Sequence, residues 1–250
     1  MGGALVAGWR RAGAFEPSQI LIRDPAPGEA ARASGARLDP DNAAIASAKT
    51  VVLVVKPQIW RETAAEIAPH LAPDAVIVSV AAGVAAADLK DAFGGRRVAR
   101  VMPTIAAAIG QGTASVYADD AEARSRAHAL FAPVGTVVDL PDEALMHAAT
   151  GVSGSAPAYF YAFVEALAAA GVEAGLPSDE ARALARATIE GAAALMAASG
   201  ADPAELRRQV TSPGGTTEAA LKVLLGEGGL PALLANAVKA ATDRSRELGQ

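Results

Sequence analysis

Val210-Thr211-Ser212-Pro213-Gly214-Gly215-Thr216-Thr217-Glu218 is the stretch of this chain with the most chemistry in it. Pro213 stops the helix before it, two glycines leave the backbone bare, and two threonines open the next helix. N–H groups at a helix start have no intrahelical acceptor and carry positive partial charge, so the turn suits a small anion such as a carboxylate. Thr216 and Thr217 add hydroxyls that can donate to a bound atom. The plainer reading is a helical corner capped by threonine. Taken alone, the local pattern favours that plainer reading; the rest of the chain reverses it.

A second set of candidate residues comes from the first half. Gln19–Arg23, Thr50–Val55, Ala75–Val80 and Arg97–Met102 read as strands, and the β-branched runs among them as central parallel strands covered on both faces. Helices are expected from residue 2 to a cap at Gly13, at Glu29–Ala33, Ala43–Ala48, Ile59–Ala68 and on to about Phe93. Strands alternating with helices predict a doubly wound parallel sheet, which binds ligands at the carboxyl ends of its strands. Those ends are Arg23-Asp24, Lys56-Pro57, Ala82-Gly83 and Met102-Pro103-Thr104. Four such loops on one edge favour a cofactor cleft over the plainer view that loops are simply rich in small and polar residues.

Gly112–Tyr117, a helix at Ala121–Phe131 and Gly135–Leu140 complete this α/β domain, assigned to residues 1–141. From residue 142 to 250 the chain reads as an all-α domain: Glu143–Thr150, Ser155–Ala174, Ser178–Ala198, Pro203–Val210, Thr216–Leu225 and Pro231–Leu248. The Tyr159–Ala170 helix is apolar on all sides, which calls for burial at a centre or against another subunit. A self-associating protein is expected.

Bulk properties narrow the function classes. The chain has 250 residues, is 52% hydrophobic and carries a net charge of −5. There is no basic run or nucleic-acid-reading motif, so no nucleic-acid partner is expected. With no Cys, neither disulfides nor thiolate metal sites can form, and His70, His128 and His147 show no ligand spacing; no metal is expected. The longest uncharged runs are broken by Gly, Pro, Ser and Thr, so no membrane span is expected, and no signal-peptide pattern opens the chain. The expected location is the cytoplasm.

Taken together, Gly2 after Met1, Lys56-Pro57, Ala81-Ala82-Gly83, Arg100-Val101-Met102-Pro103, Gly151-Val152-Ser153-Gly154-Ser155-Ala156-Pro157-Ala158-Tyr159 and Ser212-Pro213-Gly214-Gly215-Thr216-Thr217 closely resemble the Δ1-pyrroline-5-carboxylate reductase family. The resemblance covers the whole chain in order. It implies an N-terminal dinucleotide-binding (Rossmann-like) domain and a C-terminal helical dimerisation domain, as a homodimer that can build a ring-like decamer. It implies hydride transfer from NADPH or NADH to the C=N carbon of pyrroline-5-carboxylate, giving L-proline. Two departures stand out. The family opens with a strand and a Gly-x-Gly-x-x-Gly turn ending Asn-Met-Gly, so Gly2 matches the third glycine and the strand and first two glycines are missing; the favoured reading is a start assigned to an internal Met. The family's Asn after Met-Pro is Thr104 here, which puts a hydroxyl where an amide would lie near the nicotinamide.

The resemblance also implies roles. The N–H groups of Gly214, Gly215 and Thr216, with Ser212 beside them, are assigned to the substrate carboxylate. Thr217 matches the family's active-site Thr and is assigned to the imine nitrogen, which it orients rather than protonates unaided, since a hydroxyl is a poor acid at neutral pH. Gly2 is assigned to the pyrophosphate side of the cofactor and Asn42 to the adenosine side. Lys56, Pro57, Ala82 and Gly83 are assigned to the ribose and nicotinamide. Arg23 suits a 2′-phosphate and Asp24 a free 2′-hydroxyl, opposite preferences of which Arg23 and NADPH are favoured. Glu165 reads as a solvated or interface carboxylate. Two other readings compete. A β-hydroxyacid or 6-phosphogluconate-type dehydrogenase needs a Lys on the long helix, yet no Lys lies between Lys90 and Lys222. The other is a non-catalytic oligomeric remnant that has lost cofactor binding.

Overall fold

The computed structural model describes residues 1–248; Gly249 and Gln250, the end of the expected second domain, lie outside the described residues. The β-branched runs form β3 (Thr50–Leu53), β4 (Val76–Ser79) and β5 (Val98–Pro103), paired in parallel with Val52 opposite Val78 and Ser79 opposite Arg100. Alternation along β4 explains why its sequence is apolar throughout. Val76 and Val78 face one core, with Leu5, Val6 and Trp9 of α1 (Gly2–Ala12) and Phe131 of α6 (Ala121–Phe131). Ile77 faces the other, with Trp60 of α4 (Trp60–Ile67), Leu89 of α5 (Ala86–Ala92) and Phe93 just beyond it. A strand with helices on both faces has no solvent side to make polar.

Three local features differ from the sequence reading. The expected strand Gln19–Arg23 shortens to β1 (Leu21–Ile22), because Pro17–Gln19 winds a 3₁₀ turn in front of it. β1 pairs in parallel with an unexpected β2 (Arg37–Leu38), apart from the main sheet. The main sheet runs β3-β4-β5-β6-β7 and is mixed, since β6 (Gly112–Tyr117) is antiparallel to β5. Only the 3₁₀ turn Ile105–Ile109 joins those two strands, and so short a link cannot make a parallel crossover. β7 (Gly135–Asp139) returns parallel to β6 by way of α6.

α1 is fixed by close contact. The Trp9 indole N–H donates to the Leu130 carbonyl at 2.6 Å inside the core. A Cβ on Gly8 would stand 2.2 Å from the Ala107 carbonyl oxygen and 2.8 Å from Val134 Cγ1, so only glycine allows this approach. The helix ends at Gly13, whose φ of 59° closes it with a left-handed cap.

The helical half comprises α7 (Leu145–Ala149), a π turn Thr150–Gly154, α8 (Ala156–Glu173), α9 (Ser178–Ser199), α10 (Pro203–Gln209), α11 (Thr216–Leu224) and α12 (Leu230–Glu247). Strands stop where the sequence changes composition, near residue 142. The compact units divide later: Met1–Gly154 and the chain from Lys239 on form one, Ser155–Val238 the other. Side chains explain why α7 belongs with the sheet. Met146 is 2% exposed, Arg100 Nη1 donates to Glu143 Oε1 at 2.6 Å, and His147 Nδ1 lies 3.0 Å from the Ser245 hydroxyl near the end of α12. In the second unit, α8 and α9 pack against each other, with Ala168, Ala181 and Ala185 as their buried residues. That unit exposes large apolar side chains: Phe160, Tyr161 and Leu167 on α8, Leu184 and Leu195 on α9, Val223 on α11.

Two predictions follow from these contacts. Gly-to-Ala changes inside helices ordinarily stabilise by about 0.5–1 kcal/mol. Gly8→Ala is expected instead to destabilise by about 2 kcal/mol through overpacking, lowering Tm by roughly 4–8 °C; a raised Tm contradicts the close approach. Burial, then the charges of Arg100 and Arg246, hold the His147 imidazole below its ordinary pKa, against a smaller opposing pull from Glu143. A depressed pKa means the folded state prefers the neutral ring. That stability is present above the unfolded value of about 6.5 and is lost as pH falls through the folded value. The urea midpoint is therefore expected to drop more steeply from pH 7 to 5 in the wild type than in His147→Gln; parallel profiles contradict this.

Candidate functional site

The candidate residues fall in both units. In the first, the parallel strands β1, β3, β4 and β5 end in the loops named from the sequence. At the end of β1, Arg23 is half-exposed and forms an ion pair with Glu66 of α4, and its Nη1 lies 3.5 Å from Asn42 Oδ1. Asn42 opens α3 (Asn42–Ala46), which Asp41 caps by accepting from the Ala44 N–H, and its amide lies 3.1 Å from His70 Nε2. The fold thus brings Arg23 and Asn42 together, and adds Glu66 and His70, which no local pattern had marked. Asp24 is turned to its own loop, accepting from the Ala26 N–H at 2.9 Å. Arg23 is therefore the better placed of the two to meet an added charge, once it leaves Glu66.

Lys56, after β3, is exposed and makes no ion pair among the described residues. Gly2 sits at the start of α1, where no side chain caps the helix and the first turn holds no acidic residue. A Cβ on Gly2 would meet only the Val54 side chain, at 3.8 Å or more. After β4, Ala81 N–H donates to Ser79 Oγ at 3.3 Å and Gly83 adopts φ 78°, a left-handed turn that favours glycine. Thr104 is buried, and its hydroxyl accepts from the Thr113 N–H at 3.0 Å while its own N–H donates to the Thr113 carbonyl. Its side chain thus closes β5 onto β6.

These residues fit a dinucleotide. They supply an uncapped helix start without acidic side chains at α1, a lysine without an ion pair among the described residues after β3, a glycine turn after β4, and an arginine after β1 of the small sheet. The sequence reading missed Glu143, in the turn after β7. One of its oxygens accepts from both Arg100 Nη1 and the Ala86 N–H, each at 2.6 Å. It reaches across 57 residues in sequence, so no local signal could have found it.

In the second unit, Thr211 Oγ1 donates to the Arg207 carbonyl, closing α10. Gly214 takes φ 72°, and Gly215 caps α11 without a side-chain cap. Two of the three N–H groups assigned to an anion already have acceptors. The Gly215 N–H donates to the Ser212 carbonyl at 3.0 Å, and the Gly214 N–H to Glu218 Oε2 at 2.6 Å. The Thr216 N–H opens the helix, where backbone geometry offers no acceptor. The Thr216 and Thr217 hydroxyls make no hydrogen bond among the described residues; Ser212 and Thr216 are exposed and Thr217 half-buried. Glu218 is the third residue of α11, where a glutamate reaching back is a known helix-start signal, so its contact could have been read from the sequence. A carboxylate thus already sits on the Gly214 N–H.

Comparison with known proteins agrees with this layout. Residues 143–248 match a family model described as pyrroline-5-carboxylate reductase dimerisation, and residues 1–83 one described as NADP oxidoreductase coenzyme F420-dependent. The chain is 40% identical to pyrroline-5-carboxylate reductase of Pseudomonas aeruginosa, covering 100% of this chain and 94% of that one. It is 38% identical to the enzyme of the same name from Pisum sativum, over 99% of this chain and 92% of that one. Among solved structures, a pyrroline-5-carboxylate reductase from Coxiella burnetii superimposes with a TM-score of 0.91 at 29% identity, covering 100% of this chain and 95% of that one. A pyrroline carboxylate reductase from Plasmodium falciparum with NADP bound gives 0.85 at 25% identity, with the same coverage. With 40% identity over the whole of this chain and the dimerisation model matched over residues 143–248, the chain belongs to the pyrroline-5-carboxylate reductase family.

Proposed function

We infer that the chain reduces Δ1-pyrroline-5-carboxylate to L-proline with NAD(P)H. The observation that carries this is the 40% identity along the whole chain to a relative of that name, on a fold with a dinucleotide-type sheet edge. The cofactor supplies a hydride. It goes to the ring carbon doubly bonded to nitrogen, the C=N π pair becomes the nitrogen lone pair, and the nitrogen takes a proton from water.

The chain's own residues bind and orient. Gly2 at the uncapped start of α1 faces the pyrophosphate, Asn42 the adenosine side, and Lys56, Pro57, Ala82 and Gly83 border the ribose and nicotinamide. Arg23 meets a 2′-phosphate by exchanging its Glu66 partner for a doubly charged group, which favours NADPH over NADH. At the substrate, the turn Ser212–Thr216 takes the carboxylate. Glu218 holds the Gly214 N–H in the free protein, so the substrate carboxylate replaces one carboxylate with another of like chemistry. Thr217, with a free hydroxyl, holds the imine nitrogen. No carboxylic acid or imidazole is assigned to the reacting atoms, so the rate is assigned to positioning.

The helical half serves self-association, as the matched dimerisation model indicates. The apolar side chains exposed on α8 and α9 would otherwise leave a large patch in water, and such patches mark interfaces. A homodimer built through these helices, and a decamer of such dimers, is the proposed assembly. No helix among the described residues is long and apolar enough to cross a membrane, which fits the proposed cytoplasmic setting.

Three measurements test this reading. With NADPH deuterated at both positions of nicotinamide C4, the proline formed is expected to carry one deuterium on the carbon that was doubly bonded to nitrogen; unlabelled proline contradicts direct hydride transfer. Thr217→Ala is expected to lower kcat about 10–100-fold, the loss of one hydrogen bond to a developing charge, with cofactor affinity unchanged; an unchanged kcat removes Thr217 from the mechanism. Tyr161→Glu with Leu195→Glu is expected to shift the protein to monomer by light scattering, since a buried unpaired carboxylate opposes association. A retained oligomer places the interface elsewhere.

A further inference from the structure

We propose that Glu143 is a positioning residue for the cofactor: it holds the Ala81–Ala85 loop, with Ala82 and Gly83, in its binding conformation. The inference rests on the NAD(P)H-dependent reading above. The loop joins β4 to α5 and needs anchors at both ends, because a left-handed glycine in its middle does not resist rearrangement. Its start has one: the Ser79 hydroxyl accepts from the Ala81 N–H. Its end lacks a local one. Ala85 occupies the N-cap of α5 and makes no side-chain cap, since alanine has no acceptor to give.

Glu143 supplies what Ala85 cannot. Its Oε1 accepts from the Ala86 N–H at 2.6 Å, a charged acceptor at a helix start, where the backbone's partial positive charge strengthens the bond. That oxygen is itself fixed by Arg100, whose guanidinium donates at 2.6 Å and whose side chain is 6% exposed. Arg100 lies on β5 opposite Ser79, the residue that anchors the loop's other end. One chain of contacts, Ser79 to Arg100 to Glu143 to Ala86, therefore encloses the loop. Burial makes it stiff: Arg100 cannot swing to solvent, and Glu143 cannot leave without stranding a buried cation. Neither residue is assigned a contact with cofactor or substrate.

The test is NADPH binding by fluorescence titration, with steady-state kinetics beside it. Glu143→Ala is expected to raise the NADPH Kd and KM about tenfold, the loss of one charge-assisted hydrogen bond, while kcat at saturating cofactor and KM for pyrroline-5-carboxylate stay within about twofold. Glu143→Gln keeps an amide oxygen for the Ala86 N–H and is expected to recover most of the affinity. Should Glu143→Ala leave Arg100 unpaired and the protein unfolded, Arg100→Met with Glu143→Met removes both charges and the cap together, and is expected to show the same rise in Kd. Wild-type NADPH affinity in folded Glu143→Ala, or in the folded double Met variant, overturns the proposal. So does a parallel rise in both KM values, or a Gln variant no better than Ala. If the wild type shows no saturable NADPH binding, the functional reading fails first, and this inference with it.

Discussion

A parallel strand cannot reach its neighbour through a tight turn; it has to cross back over the sheet, usually as a helix. That constraint organises the first half of this chain. It puts helices on both faces of β4, which is why all four of its residues are buried and why Val76 and Val78 enter a different core from Ile77. It also gathers the loops that follow β3 and β4 on one edge of the main sheet. Lys56, Ala82 and Gly83 stand at that edge because each follows a strand of the same direction. The candidate cofactor edge is thus a consequence of topology.

The helical half follows a different economy. The buried residues of its Ser155–Val238 unit are Ala168, Ala181 and Ala185, and many of that unit's large apolar residues are exposed in the single chain. Small side chains permit close helix pairing but remove little surface from water, and the exposed Phe160, Tyr161 and Leu195 fit the proposed self-association of this unit. The anion-binding turn shows the same reuse of local parts. Glu218 saturates the Gly214 N–H, which gives a bare glycine turn a fixed partner.

Much of this was legible in the sequence because the relevant signals are local. Continuous β-branched runs marked β3 and β4, Gly13 marked the end of α1, and the Ser-Pro-Gly-Gly-Thr-Thr turn with Thr217 was visible as a helix start. What escaped was whatever depends on distant partners. β2 is two exposed residues with no periodicity, and only pairing with β1 makes it a strand. The direction of β6 was open to reading, since the chain from Pro103 to Gly112 is too short for a crossover. Glu143 was not: its partners lie 43 and 57 positions away, and nothing around it distinguishes it from a surface carboxylate. The hydroxyl of Thr104 accepts from the Thr113 N–H, a partner nine positions away that no local pattern marks.

The account stands or falls on the reaction. The most direct measurement follows NADPH absorbance when Δ1-pyrroline-5-carboxylate is added to this 250-residue chain. The predicted result is oxidation that requires both protein and substrate and yields one L-proline per NADPH consumed. The contradicting result is no oxidation by this chain and none after a strand with a Gly-x-Gly-x-x-Gly turn is placed ahead of Met1.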